Sequence, residues 1–326
     1  MTNRRDSNLS SSLDTYPQPK HPFSPGSCSP PPLPRRTFRS LWSLSVACMC
    51  LLLPCASQAE EQPSAPANAS GADLPFRLDS GYLIQVEGRI GDQDHLKFIL
   101  DTGASISIVG QKIARKLELN LHPAQSFNFD RNLQWQTATV PEVQFGPIRA
   151  TNVAVLVGDL AHYSDFAGKV DAVIGTDLLR LANFTIDYSA RHLIFDPDPL
   201  RGYSAGGDPM TKCLVIELQV QGHPVHLVVD TGLQFMLLYE ERLRNSVPGL
   251  RTAGSLKMGT LGRSLPVKQG TLPDVVFGNR KHELPVLFLS SPGADIPPGI
   301  DGIVGVAALH ARRVHFDFSR RTFSWE

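Results

Sequence analysis

Cysteine is scarce in this chain of 326 residues, which contains only five. Four of them precede position 59, at Cys28, Cys48, Cys50 and Cys55. Beyond that position Cys213 stands alone, so no internal disulfide can form there and stability must come from a packed core. Cys213 itself opens an apolar run, which is typical of a small buried hydrophobic residue.

The chain also lacks an excess of charge of either sign, since its formal net charge is zero. That balance gives no indication of a nucleic acid or of a strongly charged partner. The ten histidines show neither an H-E-x-x-H pattern nor a spacing paired with cysteine, so we expect no metal site. The sequence contains no Ser/His/Asp or Cys/His motif that would indicate nucleophilic catalysis. It also contains no phosphate-binding glycine loop, and we expect no cofactor.

Long apolar runs are absent, and the stretch at residues 41–54 is too short to span a bilayer comfortably. It follows the basic sequence RRTFRS, which begins at Arg35, and precedes small residues at Ser57 and Ala59. This layout is typical of a secretory signal peptide cleaved after Ala59, by either the Sec or the twin-arginine route. We therefore expect an exported protein, periplasmic or secreted. An uncleaved membrane anchor formed by residues 41–54 is the alternative.

Shifts in composition divide the chain into segments. Residues 1–59 hold many prolines and serines before the signal segment, and we expect a disordered N-terminus plus signal peptide. Residues 60–74 are predicted to be a flexible leader. The sequence PDPLRGYSAGGDP indicates a linker, placed at residues 199–210, between an N-terminal lobe at 75–198 and a C-terminal lobe at 211–326.

An internal repeat relates the two predicted lobes. The segment HLKFILDTGAS, with Asp101, recurs as HLVVDTGLQ, with Asp230, and VDAVIG, with Asp171, recurs as IDGIVG, with Asp301. Both matches lie about 130 residues apart, which is the signature of a duplicated unit. Each half alternates apolar and polar residues around glycine turns, so we predict mostly β structure with short helices after the Asp-Thr-Gly turns.

The duplication gives Asp101 a partner in Asp230. Two carboxylates within about 3 Å of each other do not both ionise readily, so they share a proton and titrate as a pair. A water held between them can be deprotonated by one carboxyl group while the other protonates the carbonyl that the water attacks. This pattern therefore predicts general acid–base hydrolysis without a covalent intermediate.

The neighbours of each aspartate suit such a site. Gly103 and Gly232 permit a tight turn and can donate their amide N–H groups to the carboxylates. Thr102 and Thr231 carry hydroxyls that would be buried and must find partners. We predict that these hydroxyls form hydrogen bonds across the seam between the halves and lock the two turns together.

The order of strand, Asp-Thr-Gly, short helix, β-rich middle and apolar-apolar-glycine resembles the aspartic protease superfamily of retropepsins and pepsins. The Asp-Thr-Gly-Ala-Ser of the first half is more similar to the retropepsin form, and the resemblance covers about residues 80–198 and 211–326. It implies a mostly β, bilobal acid protease fold with two retropepsin-like β-barrel lobes and short helices. It also implies a single-chain monomer that acts on a peptide or protein substrate.

Two further features of that family have matches in this sequence. The apolar-apolar-glycine strand that threads behind the catalytic loop matches residues 173–175 and 303–305, where glycine is needed because two backbones pass closely. Asp177 follows the first of these glycines and is expected to cap its helix.

The family closes a β-hairpin flap over its substrate, and each half has a candidate for it. The candidate flap residues are Asp130, Asn132 and Trp135 in the first half and Gly259, Thr260 and Gly262 in the second. Ordinary surface hairpins are the alternative for both. Trp135 would either line the substrate cleft or pack as a hairpin aromatic.

The sequence thus predicts an exported aspartic endopeptidase whose catalytic residues are Asp101 and Asp230. One departure supports an alternative: Leu233 stands where Ala, Ser or Thr is usual after the glycine, and it is bulky and has no hydroxyl. The first predicted flap also lacks a glycine. The alternative is a catalytically impaired peptide-binding or scaffolding protein with the same fold.

Overall fold

The structure, a computed structural model, describes residues 71–124, 135–161, 167–206, 213–244, 247, 250–260, 263–277, 280–292 and 296–326. The predicted disordered N-terminus and signal peptide at 1–59 therefore lie outside the described residues. Within the described ranges, none of the helices has the length and apolar character needed to cross a membrane.

The first half of the described chain is built mainly from strands. These are β1 (Asp73–Pro75), β2 (Arg77–Asp79), β3 (Leu83–Ile90), β4 (Gln93–Leu100), β5 (Ile108–Gly110), β6 (His122–Pro123), β7 (Gln136–Phe145), β8 (Ile148–Gly158), β9 (Ala172–Ile174), β10 (Phe184–Asp187) and β11 (His192–Phe195). Two short helices accompany them, α1 (Gln111–Lys116) and α2 (Thr176–Leu179).

The second half repeats this plan. Its strands are β12 (Tyr203–Gly206), β13 (Val215–Val220), β14 (His223–Asp230), β15 (Met236–Tyr239), β16 (Arg251–Thr260), β17 (Arg263–Phe277), β18 (Arg280–Leu289), β19 (Gly302–Gly305), β20 (Arg313–Asp317) and β21 (Thr322–Trp325). Its helices are α3 (Glu240–Leu243) and a 3₁₀ turn at Val306–Leu309.

Each half forms one barrel-like sheet. The strand order is β2-β3-β4-β9-β5-β8-β7-β6 in the first half and β13-β14-β19-β15-β18-β17-β16 in the second. Additional pairings of β3 with β7 and of β13 with β17 bend each sheet toward closure. The predicted mostly β, bilobal architecture with two barrel-like lobes is confirmed.

One central strand in each sheet fixes the position of the Asp-Thr-Gly turn. β9 pairs in parallel with β4, which precedes the first turn, and antiparallel with β5, which follows it. β19 does the same between β14 and β15. Both central strands are buried along their whole length, which is why they are continuous apolar runs.

Glycine is required where these strands pass the turns. A Cβ added at Gly305 would lie 2.2 Å from the Leu233 carbonyl oxygen, and one at Gly175 would lie 2.8 Å from the carbonyl oxygen of Ala104. Any larger residue would push the central strand away from the turn, so the prediction of close backbone passage is confirmed.

A third sheet joins the two lobes, with the order β1-β11-β10-β20-β21-β12. β10 of the first half pairs antiparallel with β20 of the second, so that Phe184 faces Phe316. Their ring centroids are 5.0 Å apart, and Phe316 lies equally close to Phe323. This aromatic cluster is continuous with the largest apolar core of the protein. β12 lies within the predicted linker at 199–210.

Candidate active site

The two Asp-Thr-Gly turns meet at the seam between the lobes. Asp101 directly follows β4, Asp230 is the last residue of β14, and both are fully buried. A Cβ added at Gly103 would lie 2.6 Å from Cγ of Asp230, and one at Gly232 would lie 2.9 Å from Oδ2 of Asp101. Each carboxyl group therefore lies against the glycine of the other turn, and the structure brings the two predicted catalytic residues together.

Two threonines connect the turns by reciprocal hydrogen bonds. The Thr102 hydroxyl donates to the Val229 carbonyl at 2.9 Å and accepts from the Thr231 amide at 3.1 Å. The Thr231 hydroxyl donates to the Leu100 carbonyl at 2.8 Å and accepts from the Thr102 amide at 3.0 Å. The cross-seam bonds predicted for these hydroxyls are confirmed, and all four cross between the halves. They hold the turns in one fixed relation, which two closely placed carboxyl groups require.

The backbone supplies different numbers of donors to the two carboxyl groups. Oδ1 of Asp101 accepts from the amides of Gly103 and Ala104, at 2.9 and 3.1 Å. Oδ1 of Asp230 accepts from the Gly232 amide at 2.6 Å. Both Oδ2 atoms are buried, and among the described residues neither has a hydrogen-bond donor other than a proton shared between the two carboxyl groups. Since two ionised carboxylates cannot donate to each other, a hydrogen bond between them requires a shared proton.

Burial dominates the electrostatics of the pair. It raises the pKa of Asp101 to about 7, although the hydrogen bond with Asp230 works in the opposite direction. Burial also raises the pKa of Asp230 well above its usual value, and the negative charge of Asp101 raises it further. The pair consequently keeps one proton across the range in which isolated aspartates have lost theirs.

A second layer of polar contacts supports the first turn. The Asp177 carboxylate accepts from the Ser107 hydroxyl at 2.7 Å and from the Ser107 amide at 2.9 Å. The same hydroxyl accepts from the Gly175 amide at 3.0 Å. The prediction that Asp177 caps its helix is wrong: α2 has Gly175 at its N-cap and no side-chain cap. Its carboxylate is occupied by a serine that lies 70 residues earlier in the chain.

Cys213 is buried, as its apolar neighbours indicate, but its thiol also touches the candidate site. Sγ lies 3.6 Å from the Gly103 carbonyl oxygen and 3.9 Å from the Thr176 hydroxyl. The sequence pattern missed this contact because Cys213 belongs to the second half and Gly103 to the first.

The predicted flap residues lie in different surroundings, and some of them lie outside the described residues. Trp135 is 8% exposed and packs on Gly158, where an added Cβ would lie 2.1 Å from the ring. In the second half β16 and β17 form a hairpin in which Thr260 pairs with Arg263, so Gly259 and Thr260 lie at its tip. Asp130, Asn132 and Gly262 lie outside the described residues. A role for any of these in substrate binding stays a prediction.

Leu233 packs among apolar side chains of the second lobe. Its side chain is fully buried in the second lobe, in a cluster that includes Val228, Leu237 and Ile303. The second turn thus accommodates the bulk of Leu233 within the lobe core.

The two acids that precede the central strands have structural partners. Asp171 accepts from the Lys97 amide at 3.0 Å, and Asp301 accepts from the His226 amide at 2.9 Å. Throughout the described ranges, no group of three or more His, Cys, Asp or Glu side chains is placed to hold a metal ion.

Comparison with known protein families gives a match that follows the internal repeat. The family model described as aspartyl protease matches twice, at residues 86–178 and at residues 216–308. Each match contains one Asp-Thr-Gly turn and one apolar-apolar-glycine strand, and together they cover more than half of the chain. A search of curated proteins gives no match. The chain therefore belongs to the aspartyl protease family, with two retropepsin-like repeats forming the two lobes of one bilobal chain.

Proposed function

We propose that this protein is an exported aspartic endopeptidase in which Asp101 and Asp230 activate one water molecule to hydrolyse a peptide bond. The observation that carries the proposal is the placement of two fully buried carboxyl groups, each against the glycine of the other turn, with the turns joined by the threonine hydrogen bonds. A buried pair that shares one proton offers a base and an acid at the same place, and this is what water addition to an amide requires.

The proton transfers of the proposed reaction balance within the pair. The ionised carboxylate takes a proton from the water as its oxygen bonds to the carbonyl carbon, and the protonated carboxyl gives its proton to the carbonyl oxygen. The result is a tetrahedral diol and a pair that again holds one proton. Collapse of the diol returns a proton to the leaving nitrogen, so the peptide bond breaks without a covalent enzyme intermediate.

Export is supported by the signal-like segment that ends at Ala59. A monomeric enzyme is supported by the supply of both aspartates from one chain. In this proposal Gly259 and Thr260, at the tip of the β16–β17 hairpin, border the bound peptide.

The test compares the purified protein with its Asp101→Asn and Asp230→Asn variants on a mixed peptide pool, from about pH 3 to about pH 8. New peptide termini are counted by mass spectrometry. Because asparagine keeps the shape but can neither take nor give the required proton, each variant should lose at least about 100-fold in turnover. Asp92→Asn serves as the matched control, since Asp92 is an exposed acid in the β3–β4 turn.

Unchanged cleavage in either active-site variant would contradict the assignment. Circular dichroism of the variants establishes that a loss of turnover is not a loss of fold. Tight binding of a statine-type transition-state mimic without any new termini would instead favour a peptide-binding protein that has lost turnover.

A further inference from the structure

Among the described residues, the side-chain support behind the first turn is not repeated behind the second. The repeat places Val306 at the position of Thr176 and Met236 at the position of Ser107. In the same way Ala307 replaces Asp177. Each of these substitutions removes a hydrogen-bonding side chain from the second half, although the threonine contacts at the seam are symmetric.

Thr176 acts on the first turn through the carbonyl of Ala104. Its amide and its hydroxyl both donate to that oxygen, at 2.7 and 3.1 Å. Thr176 is fully buried, and Ser107 and Asp177 hold the adjacent backbone by the contacts described above. The Ala104 amide in turn donates to Oδ1 of Asp101 at 3.1 Å. Thr176 thus fixes the residue that supplies the second donor to Asp101.

The peptide group that carries this donor is also held at its other end. The carbonyl of Gly103 belongs to the same peptide as the Ala104 amide, and the Cys213 thiol lies 3.6 Å from that oxygen. A donor to the carbonyl polarises the peptide and strengthens the hydrogen bond that its N–H makes. The strand register identifies the equivalent of Cys213 in the first half. Gln85 pairs with Ile99 as Val215 pairs with Val228. Leu83, two residues before Gln85, therefore corresponds to Cys213, two residues before Val215. A leucine offers no donor to the second turn.

We propose that Thr176 is a positioning residue that holds the Ala104 amide on Asp101, so that Asp101 carries the negative charge of the pair and Asp230 keeps the shared proton. The proposal deepens the function proposed above and depends on it for its consequence in catalysis. Hydrogen bonds to the ionised form of a carboxyl favour that form, and Asp101 receives two from the backbone where Asp230 receives one.

The division of roles in the reaction follows. Asp101 is the base that takes the proton of the water, and Asp230 is the acid that protonates the substrate carbonyl. Among the described residues, the other ionisable groups that act on the pair are the buried Tyr82 and Cys213. Neither carries a positive charge, and the effect of Cys213 raises the pKa of both aspartates, so it does not favour the opposite assignment.

Two readouts test the proposal in the purified protein and in three variants. Thr176→Val removes the hydroxyl with little change of shape, Thr176→Ser keeps it, and Val306→Thr places a hydroxyl at the equivalent position of the second half. The first readout is the pH titration of ¹³C-labelled aspartate carboxyl carbons, assigned with Asp101→Asn and Asp230→Asn. The second is the pH profile of kcat/KM for a cleaved peptide.

We expect the Asp101 resonance to ionise before that of Asp230 in the parent protein. Thr176→Val should shift the Asp101 titration to higher pH by about half a unit, a threefold change in its ionisation constant. The acid limb of kcat/KM should move by the same amount. Thr176→Ser should restore both, and Val306→Thr should leave the Asp101 titration in place.

Three results would overturn the proposal: Asp230 ionising first in the parent, no shift in Thr176→Val, or an equal shift in Val306→Thr. If Thr176→Val does not fold, the order of ionisation in the parent decides alone. The carboxyl titration needs no turnover. A protein that cleaves no peptide would refute the proposed function, and the titration would still test this inference by itself.

Discussion

Replacing both Asp101 and Asp230 by asparagine should stabilise this protein at neutral pH, and the gain should grow with pH. Asparagine has nearly the same shape as aspartate and can still accept the backbone hydrogen bonds that reach Oδ1 of each residue. It removes the two ionisable groups that the fold buries completely. The Asp101→Asn/Asp230→Asn protein thus isolates what the shared proton does to the free energy of unfolding.

The sign of the effect follows from the raised pKa values of the pair. Burial raises the pKa of Asp101 from 3.8 to about 7 and that of Asp230 well above its usual value. Between the usual pKa of 3.8 and the raised pKa values of the pair, the native protein binds more protons than the unfolded chain. The stability contributed by the pair is complete below the unfolded pKa and is lost as pH rises through the folded pKa.

The magnitude follows from the number of protons. Each extra proton on the native state lowers the free energy of unfolding by about 1.4 kcal/mol per pH unit. For Asp101 alone, over about three pH units, the parent should lose about 4 kcal/mol relative to the variant. Asp230 adds to this in the same direction, because its pKa is also raised.

Urea unfolding of both proteins at about pH 4, 5, 6 and 7 measures the difference directly. Two other groups have shifted pKa values: burial lowers that of His315, and hydrogen bonds from Ser319 and Arg320 lower that of Asp317 against the opposing effect of burial. Their contributions are present in both proteins and cancel in the difference. A difference that stays constant within about 1 kcal/mol from pH 4 to pH 7 would show that the two carboxyl groups do not share a proton.

Two further predictions concern the seam. Thr102→Val and Thr231→Val should each lower the free energy of unfolding by about 2–4 kcal/mol in urea titrations, since each leaves a buried amide and a buried carbonyl without partners; losses below about 0.5 kcal/mol would contradict the contacts. Gly103→Ala should reduce turnover at least tenfold and weaken binding of a transition-state mimic, since the added methyl would overlap the Asp230 carboxyl at 2.6 Å. A fully active Gly103→Ala protein would show that the carboxyl groups lie farther apart.

The repeat explains why so much of the seam could be predicted from the sequence. Once two halves are known to be equivalent, a two-fold arrangement places Asp101 against Asp230 and Thr102 against Thr231, and few other partners are left for buried hydroxyls. The central strands could be predicted because the apolar-apolar-glycine pattern, which occurs once in each half, resembles the strand that threads behind the catalytic loop in the family; their burial on both sides accounts for the apolar run. Symmetry therefore supplied the long-range contacts that local patterns lack.

The contacts that break the symmetry could not be predicted in this way. Asp177 lies next to a helix start, so its local pattern favours a cap, and only the folded chain brings Ser107 to it from 70 residues away. Cys213 has the pattern of a core residue, and it is one, yet its thiol also reaches Gly103 of the other lobe. For each of these side chains the local sequence pattern indicates one environment, but the partners that the side chain contacts are determined by the tertiary fold.

The way in which the halves differ has a chemical reason. Two carboxyl groups that catalyse water addition must act differently, one as a base and one as an acid, whereas identical surroundings would give each an equal share of the proton. A symmetric dimer of one sequence cannot place threonine behind one aspartate and valine behind the other. A chain that encodes both halves can, and here it does so with Thr176 and Val306 while the reciprocal bonds of Thr102 and Thr231 are kept. Symmetry thus sets the distance between the aspartates, and the difference behind the turns sets which one holds the proton.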